Sequence, residues 1–196
     1  MDNETQIERR FFASPIEVRK ADEKKKVGGY AARFGSVYDL GWFTEEVAPG
    51  AFDGADMSDV VALFNHDPNL PLGRNTSGTL RLRVDEDGLG YEIDLPDSPN
   101  GENVRVAIER GDVKQSSWGF TIETYEWNIR GGKEHRTIKK VKRVFDVSPV
   151  TFPANPDTNV AKRSRDANAP REEKQFSQTA QAQRSRKLRL ASIDPC

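Results

Sequence analysis

The sequence predicts a mainly-β domain of the α+β class: an antiparallel, barrel-like sheet with a few surrounding helices and flexible charged termini. Three observations lead there. Leu80-Arg81-Leu82-Arg83-Val84 and Leu89-Gly90-Tyr91-Glu92-Ile93-Asp94-Leu95 alternate apolar and polar residues, the period-2 pattern of half-buried strands. Other apolar runs, such as Val60–Phe64 and Phe120–Trp127, are short and separated by Gly and Pro. A helical stripe stands out in residues 100–111.

In chain order, Gly28–Phe34 reads as a strand opened by glycines. Pro49-Gly50 marks a turn, followed by a short helical turn over Ala51–Met57. Val60–Phe64 is a buried strand. Asp85-Glu86-Asp87-Gly88 joins the two alternating runs into a hairpin. In Asn100–Gly111, Asn100 can cap a helix, Val104, Ala107 and Ile108 form its apolar stripe, and Gly111 can end it. The alternation of 104, 106 and 108 keeps a strand open there. Phe120–Trp127 is a strand, and Gly131-Gly132 turns into a last run ending at Phe145–Val150.

The chain has 196 residues, of which 35% are hydrophobic and 31% charged. That is lean for a packed core, for which an apolar share of ~45–50% is usual, so the deficit is local. Residues 162–196 hold nine basic and four acidic residues, a balance of +5, leaving −6 for residues 1–161. The basic end includes a Gln/Ala/Ser stretch with little to bury, and reads as a disordered tail suited to docking or to removal by proteolysis. Residues 1–26 are also highly charged, which puts the start of the folded domain near Val27 and its end near 161. No apolar run approaches the ~20 residues of a membrane span. The polar start, Met1–Gln6, does not read as a secretory signal. Cys196 has no partner, which excludes a disulfide framework and points to a reducing, cytoplasmic setting. The acidic balance of the domain speaks against nucleic acid as a partner.

Histidine is scarce, which narrows the search for chemistry. His66 follows an apolar run and enters a Pro-containing turn, where a rigid scaffold can present an imidazole. His135 sits in Gly131-Gly132-Lys133-Glu134-His135-Arg136, which reads as a charged, flexible loop. In Ser116-Ser117-Trp118-Gly119-Phe120, a serine entering a strand beside a glycine can expose a hydroxyl near backbone N–H groups. A third member must orient the imidazole, which calls for a carboxylate. Asp146, between Phe145 and Val147, is preferred over Asp67, whose side chain adjoins His66 but does not face it. The bland alternatives are a turn histidine satisfied by its neighbours and an ordinary strand-entry serine pair. Two separated histidines without paired cysteines give no zinc site, no phosphate loop is present, and no cofactor is expected.

Four blocks in order carry a resemblance. Pro49-Gly50-Ala51-Phe52, then Phe64-Asn65-His66-Asp67-Pro68 with Pro71-Leu72-Gly73-Arg74, resemble stretches of the tailed-phage prohead proteases. Arg110-Gly111-Asp112-Val113 followed by Ser117-Trp118-Gly119-Phe120, and Phe145–Pro156, resemble two further blocks of that family. The resemblance spans roughly residues 28–161. It implies a capsid-maturation serine endopeptidase with a fold similar to the herpesvirus assemblins, in which Ser117 is the nucleophile and His66 the general base. The third member falls at Asp146, where the family more often shows Glu. Assemblins use a second histidine there, which keeps His135 as an alternative, while Ser116 is the runner-up nucleophile. The oxyanion donors would be backbone N–H groups around Trp118 and Gly119. Partners would be the major capsid protein, a scaffold protein or both, together with other copies of the chain, inside a prohead assembling in the host cytoplasm. The tail would serve scaffold docking or self-cleavage. The rival reading is a catalytically inactive capsid-assembly protein on the same fold.

Overall fold

The computed structural model describes residues 7–12, 16–21 and 24–152. Their chain order is β1 (Glu8–Phe12), β2 (Glu17–Ala21), β3 (Lys24–Arg33), β4 (Tyr38–Asp39), β5 (Phe43–Val47) and β6 (Val61–Phe64). Then follow β7 (Asp67–Arg74), β8 (Leu80–Val84), β9 (Gly88–Asp94), α1 (Pro99–Arg110), β10 (Gln115–Arg130) and β11 (Lys133–Val150). The tail expected at 162–196 lies outside the described residues.

Two sheets form. One runs β1-β10-β11-β5-β4, with β6 attached to β11 and β7 to β6; the other runs β2-β3-β9-β8. Among the described residues the strands close no barrel, and α1 is the single helix where a few were expected. The larger sheet is also mixed: β5 and β6 both run parallel to β11. No helix among the described residues is long and apolar enough to cross a membrane.

The local patterns explain most elements. The alternating runs form the β8–β9 hairpin, with Leu80 opposite Ile93 and Leu82 opposite Tyr91. Asp85 Oδ1 accepts from the N–H groups of Asp87 and Gly88 and so shapes its turn. The cap of α1 is Ser98 instead of Asn100: Pro99 takes the first helical position, where no N–H is needed, and Ser98 Oγ accepts from Gly101 N. Residues 51–57 form no helix. Successive four-residue turns close there, through Asp53 N to Gly50 O and Ala55 N to Phe52 O. The long β10–β11 hairpin turns at Gly131-Gly132, whose φ of 61° and 79° meet the left-handed demand of a two-residue loop.

The N-terminal region is strand where the sequence places the start of the fold near Val27. Two of its charges are paired inside the protein. On β1, Glu8 and Arg10 are buried, Arg10 Nε donating to Glu45 Oε1 at 2.5 Å and Glu8 Oε2 accepting from Arg136 Nη2 at 2.6 Å. Burial pushes the Glu8 carboxyl up, but Arg136 and Arg10 outweigh it and hold the group below its ordinary value. His135 is likewise not in a loop. It lies in β11 at 1% exposure, with Nδ1 2.8 Å from Thr44 Oγ1.

Candidate active site

Alternation along β10 decides which serine faces which way. Trp118 and Phe120 stack with centroids 3.7 Å apart, and Phe52 packs on Trp118, so these residues mark the core face. Ser116 shares that face and its Oγ lies 2.7 Å from Tyr91 Oη in a buried hydrogen bond. Burial of the Tyr91 ring raises its hydroxyl pKa, with the Ser116 bond acting in the opposite direction. Ser117 and Gly119 take the opposite face.

Across the ladder, Ser117 is opposite Ser148 and Gly119 is opposite Asp146. Ser117, Ser148 and Asp146 therefore share one face of two paired strands. Gly119 leaves room for the carboxylate: a Cβ there would collide with Asp146 Oδ2.

The imidazole arrives from β6–β7, a two-residue hairpin in which Phe64 pairs with Asp67. Both loop residues are left-handed, Asn65 at φ 54° and His66 at φ 57°. This is the habit of a type I′ turn, which asks for Asn or Gly at such positions. Asn65 holds the turn to the end of β11: Asn65 N donates to Pro149 O at 3.0 Å, and Asn65 Oδ1 accepts from Thr151 N at 2.9 Å. β6 runs parallel to β11 with Val61 beside Asp146 and Ala62 beside Val147, so its end brings the turn alongside Pro149, and the His66 ring reaches back to Asp146.

The structure brings His66, Ser117 and Asp146 together. His66 Nε2 lies 2.5 Å from Ser117 Oγ, and His66 Nδ1 lies 2.5 Å from Asp146 Oδ1. With the proton on Nδ1, the imidazole donates to the carboxylate and offers Nε2 as acceptor to the hydroxyl. Ser148 Oγ donates to Asp146 Oδ1 at 2.8 Å and lies 3.3 Å from His66 Nδ1. The histidine and aspartate side chains are 9% and 8% exposed, which strengthens each interaction by excluding water.

The other candidates fall elsewhere. Asp67 Oδ1 accepts from Asn69 N and Nδ2 and stays within its own turn. His135 stands eleven residues from Asp146 on one strand, roughly 35 Å away at ~3.3 Å per residue, and faces Thr44 and Glu46. Trp118 and Gly119 lie inside a ladder with partners on both sides, Arg10 and Val147 for one and Arg9 and Asp146 for the other. Ser148 went unnoticed in the sequence, although its place two residues after Asp146 puts it on the same strand face.

A hydroxyl, an imidazole and a carboxylate in series are the arrangement of a serine hydrolase site. The chain belongs to the caudovirus prohead serine protease family, whose model matches residues 14–172. It is similar to the prohead protease of Enterobacteria phage HK97, with 30% identity over 138 residues, covering 68% of this chain and 57% of that protein. The chain thus spans little more than half the length of this curated relative. No solved structure matches it.

Proposed function

We propose that this chain is a serine endopeptidase of prohead maturation, with Ser117 as nucleophile, His66 as general base and then acid, and Asp146 as the group orienting the imidazole. The observation that carries this reading is the unbroken hydrogen-bond series from Asp146 Oδ1 through both nitrogens of His66 to Ser117 Oγ.

Ser117 Oγ attacks the carbonyl carbon of a peptide bond as its proton passes to His66 Nε2. The C–N bond breaks when His66 returns that proton to the leaving amine, leaving an acyl group on Ser117. Water then gives a proton to His66 and its oxygen to the acyl carbon, releasing the acid and restoring the serine. Asp146 keeps Nδ1 protonated and stabilises the positive imidazolium between the two transfers.

The substrates are the scaffold protein, the scaffolding segment of the major capsid protein, or both, within the prohead assembling in the host cytoplasm. The chain associates with these partners and with copies of itself, and cleaves itself. The test incubates the protein with shell components and sequences the new N-termini. Ser117→Ala and His66→Ala each abolish the cleavage, since loss of a triad member costs several powers of ten. Wild-type processing by either variant overturns the assignment. Self-cleavage shows in mass spectrometry as a shortened species absent from Ser117→Ala.

A further inference from the structure

Ser117 is 0% exposed, although a peptide carbonyl has to reach its Oγ. Its hydroxyl has one proton and two acceptors, His66 Nε2 at 2.5 Å and the backbone carbonyl of Arg10 at 2.9 Å. That carbonyl belongs to β1, which runs along β10 with Phe11 opposite Ser117 and Arg10 opposite Trp118. In an antiparallel ladder, successive residues bond to opposite neighbours. Of the amides of Trp118 and Gly119, one is therefore directed at β1 and the other at β11. β1 thus engages both the nucleophile's proton and one of these two backbone amides.

We propose that the edge of β10 facing β1 is the docking site for an extended peptide, and that β1 is its resident occupant, displaced when a substrate strand adds to the sheet. The inference rests on the endopeptidase reading above. Peptides add to sheet edges through main-chain hydrogen bonds, with pockets for alternate side chains giving selectivity. Among the described residues β1 pairs as a strand with β10 alone, at the edge of the sheet, so its departure leaves the order β10-β11-β5-β4 intact.

The charges permit the exchange. β1 contributes Glu8 and Arg10, and the rest of the protein contributes Glu45 and Arg136. Removing β1 takes away one neutral pair and leaves another, because Arg136 Nε still donates to Glu45 Oε2 at 2.5 Å. No buried charge is orphaned, the step that makes breaking such clusters costly. The remaining pair also defines the partner. It fits an extended segment with an acidic and a basic residue two positions apart, which reach Arg136 and Glu45 as Glu8 and Arg10 do.

The test keeps the full chain. Residues 13–15 are replaced by the recognition sequence of a site-specific protease, and the chain is cut after folding. The readout is the rate at which a fluorophosphonate probe labels Ser117, before and after cutting, with and without a synthetic peptide of residues 7–12. Cutting raises the rate at least tenfold, and the peptide returns it towards the uncut value. The uncut double variant Glu8→Gln, Arg10→Gln, whose β1 is held less tightly, also labels faster, which decides the matter should the cut strand stay in place or the cut chain unfold. Unchanged labelling in the double variant and in the folded cut chain overturns the occupancy of the edge by β1. No labelling of Ser117 in any form instead overturns the endopeptidase reading, and this inference with it.

Discussion

The carboxylate of Asp146 occupies the space over Gly119, its direct partner across the β10–β11 ladder. The glycine is there for room: a Cβ added at this position would run into Asp146 Oδ2 and lie 3.2 Å from Asp146 Cγ. Gly119→Ala pushes the carboxylate off the imidazole while changing little else. Misplacement by ~1 Å costs about 10²-fold in turnover. Peptide hydrolysis falls by that order while the circular dichroism spectrum is retained; unimpaired hydrolysis rules out a close fit at this position.

Asp146 and Ser148 should differ in degree. Asp146→Asn removes the charge that holds the imidazole tautomer and lowers kcat by about 10⁴. Ser148→Ala removes one hydrogen bond to that carboxylate. Hydrogen bonds to charged groups contribute ~1.5–3 kcal/mol, so kcat falls about 10- to 100-fold with KM unchanged, and Ser148→Thr recovers part of it. Steady-state kinetics across pH compare the three variants.

The neighbouring serines separate chemistry from packing. Ser116→Ala leaves the Tyr91 hydroxyl buried without its partner, a loss of ~1–3 kcal/mol. Its urea midpoint drops, and the folded fraction still labels with a fluorophosphonate. Ser117→Ala loses the labelling. Equal labelling by both variants would move the nucleophile away from 117.

Acid should loosen the attachment of β1. Folding holds the Glu8 carboxyl below its ordinary 4.5: burial raises it, but Arg136 and Arg10 outweigh the burial. A carboxyl lowered on folding contributes stability that is complete above its unfolded value and is lost as pH falls through the folded one. Urea midpoints measured downward from pH 6 therefore decline more steeply for the wild type than for Glu8→Gln.

What the sequence made legible was local. Alternation revealed the β8–β9 hairpin, and the scarcity of histidine directed attention to His66, whose ring the structure sets between Ser117 and Asp146. What it hid was charge with a distant partner. Arg10, His135 and Arg136 look like solvated residues until Glu45 and Thr44 are placed beside them, 35 to 91 positions away, and Glu8 does until Arg136 is, 128 positions away. The parallel pairing of β5 and β6 with β11 likewise has no local signature. In β7, Pro68 and Pro71 argue against a strand, yet among the described residues β7 pairs as a strand with β6 alone, so it lies at a sheet edge, where proline is tolerated.

The left-handed φ of 57° at His66 makes one position answer to two masters. A two-residue hairpin is most comfortable with glycine there, and a side chain held in that region costs ~1–2 kcal/mol. Selection for a sturdier hairpin and selection for a reactive imidazole thus pull this position in opposite directions. A glycine at 66 would relax the hairpin, yet it would leave the buried Asp146 carboxylate without the ring it faces, so the strain of this turn is tolerated through the very contact that chemistry requires.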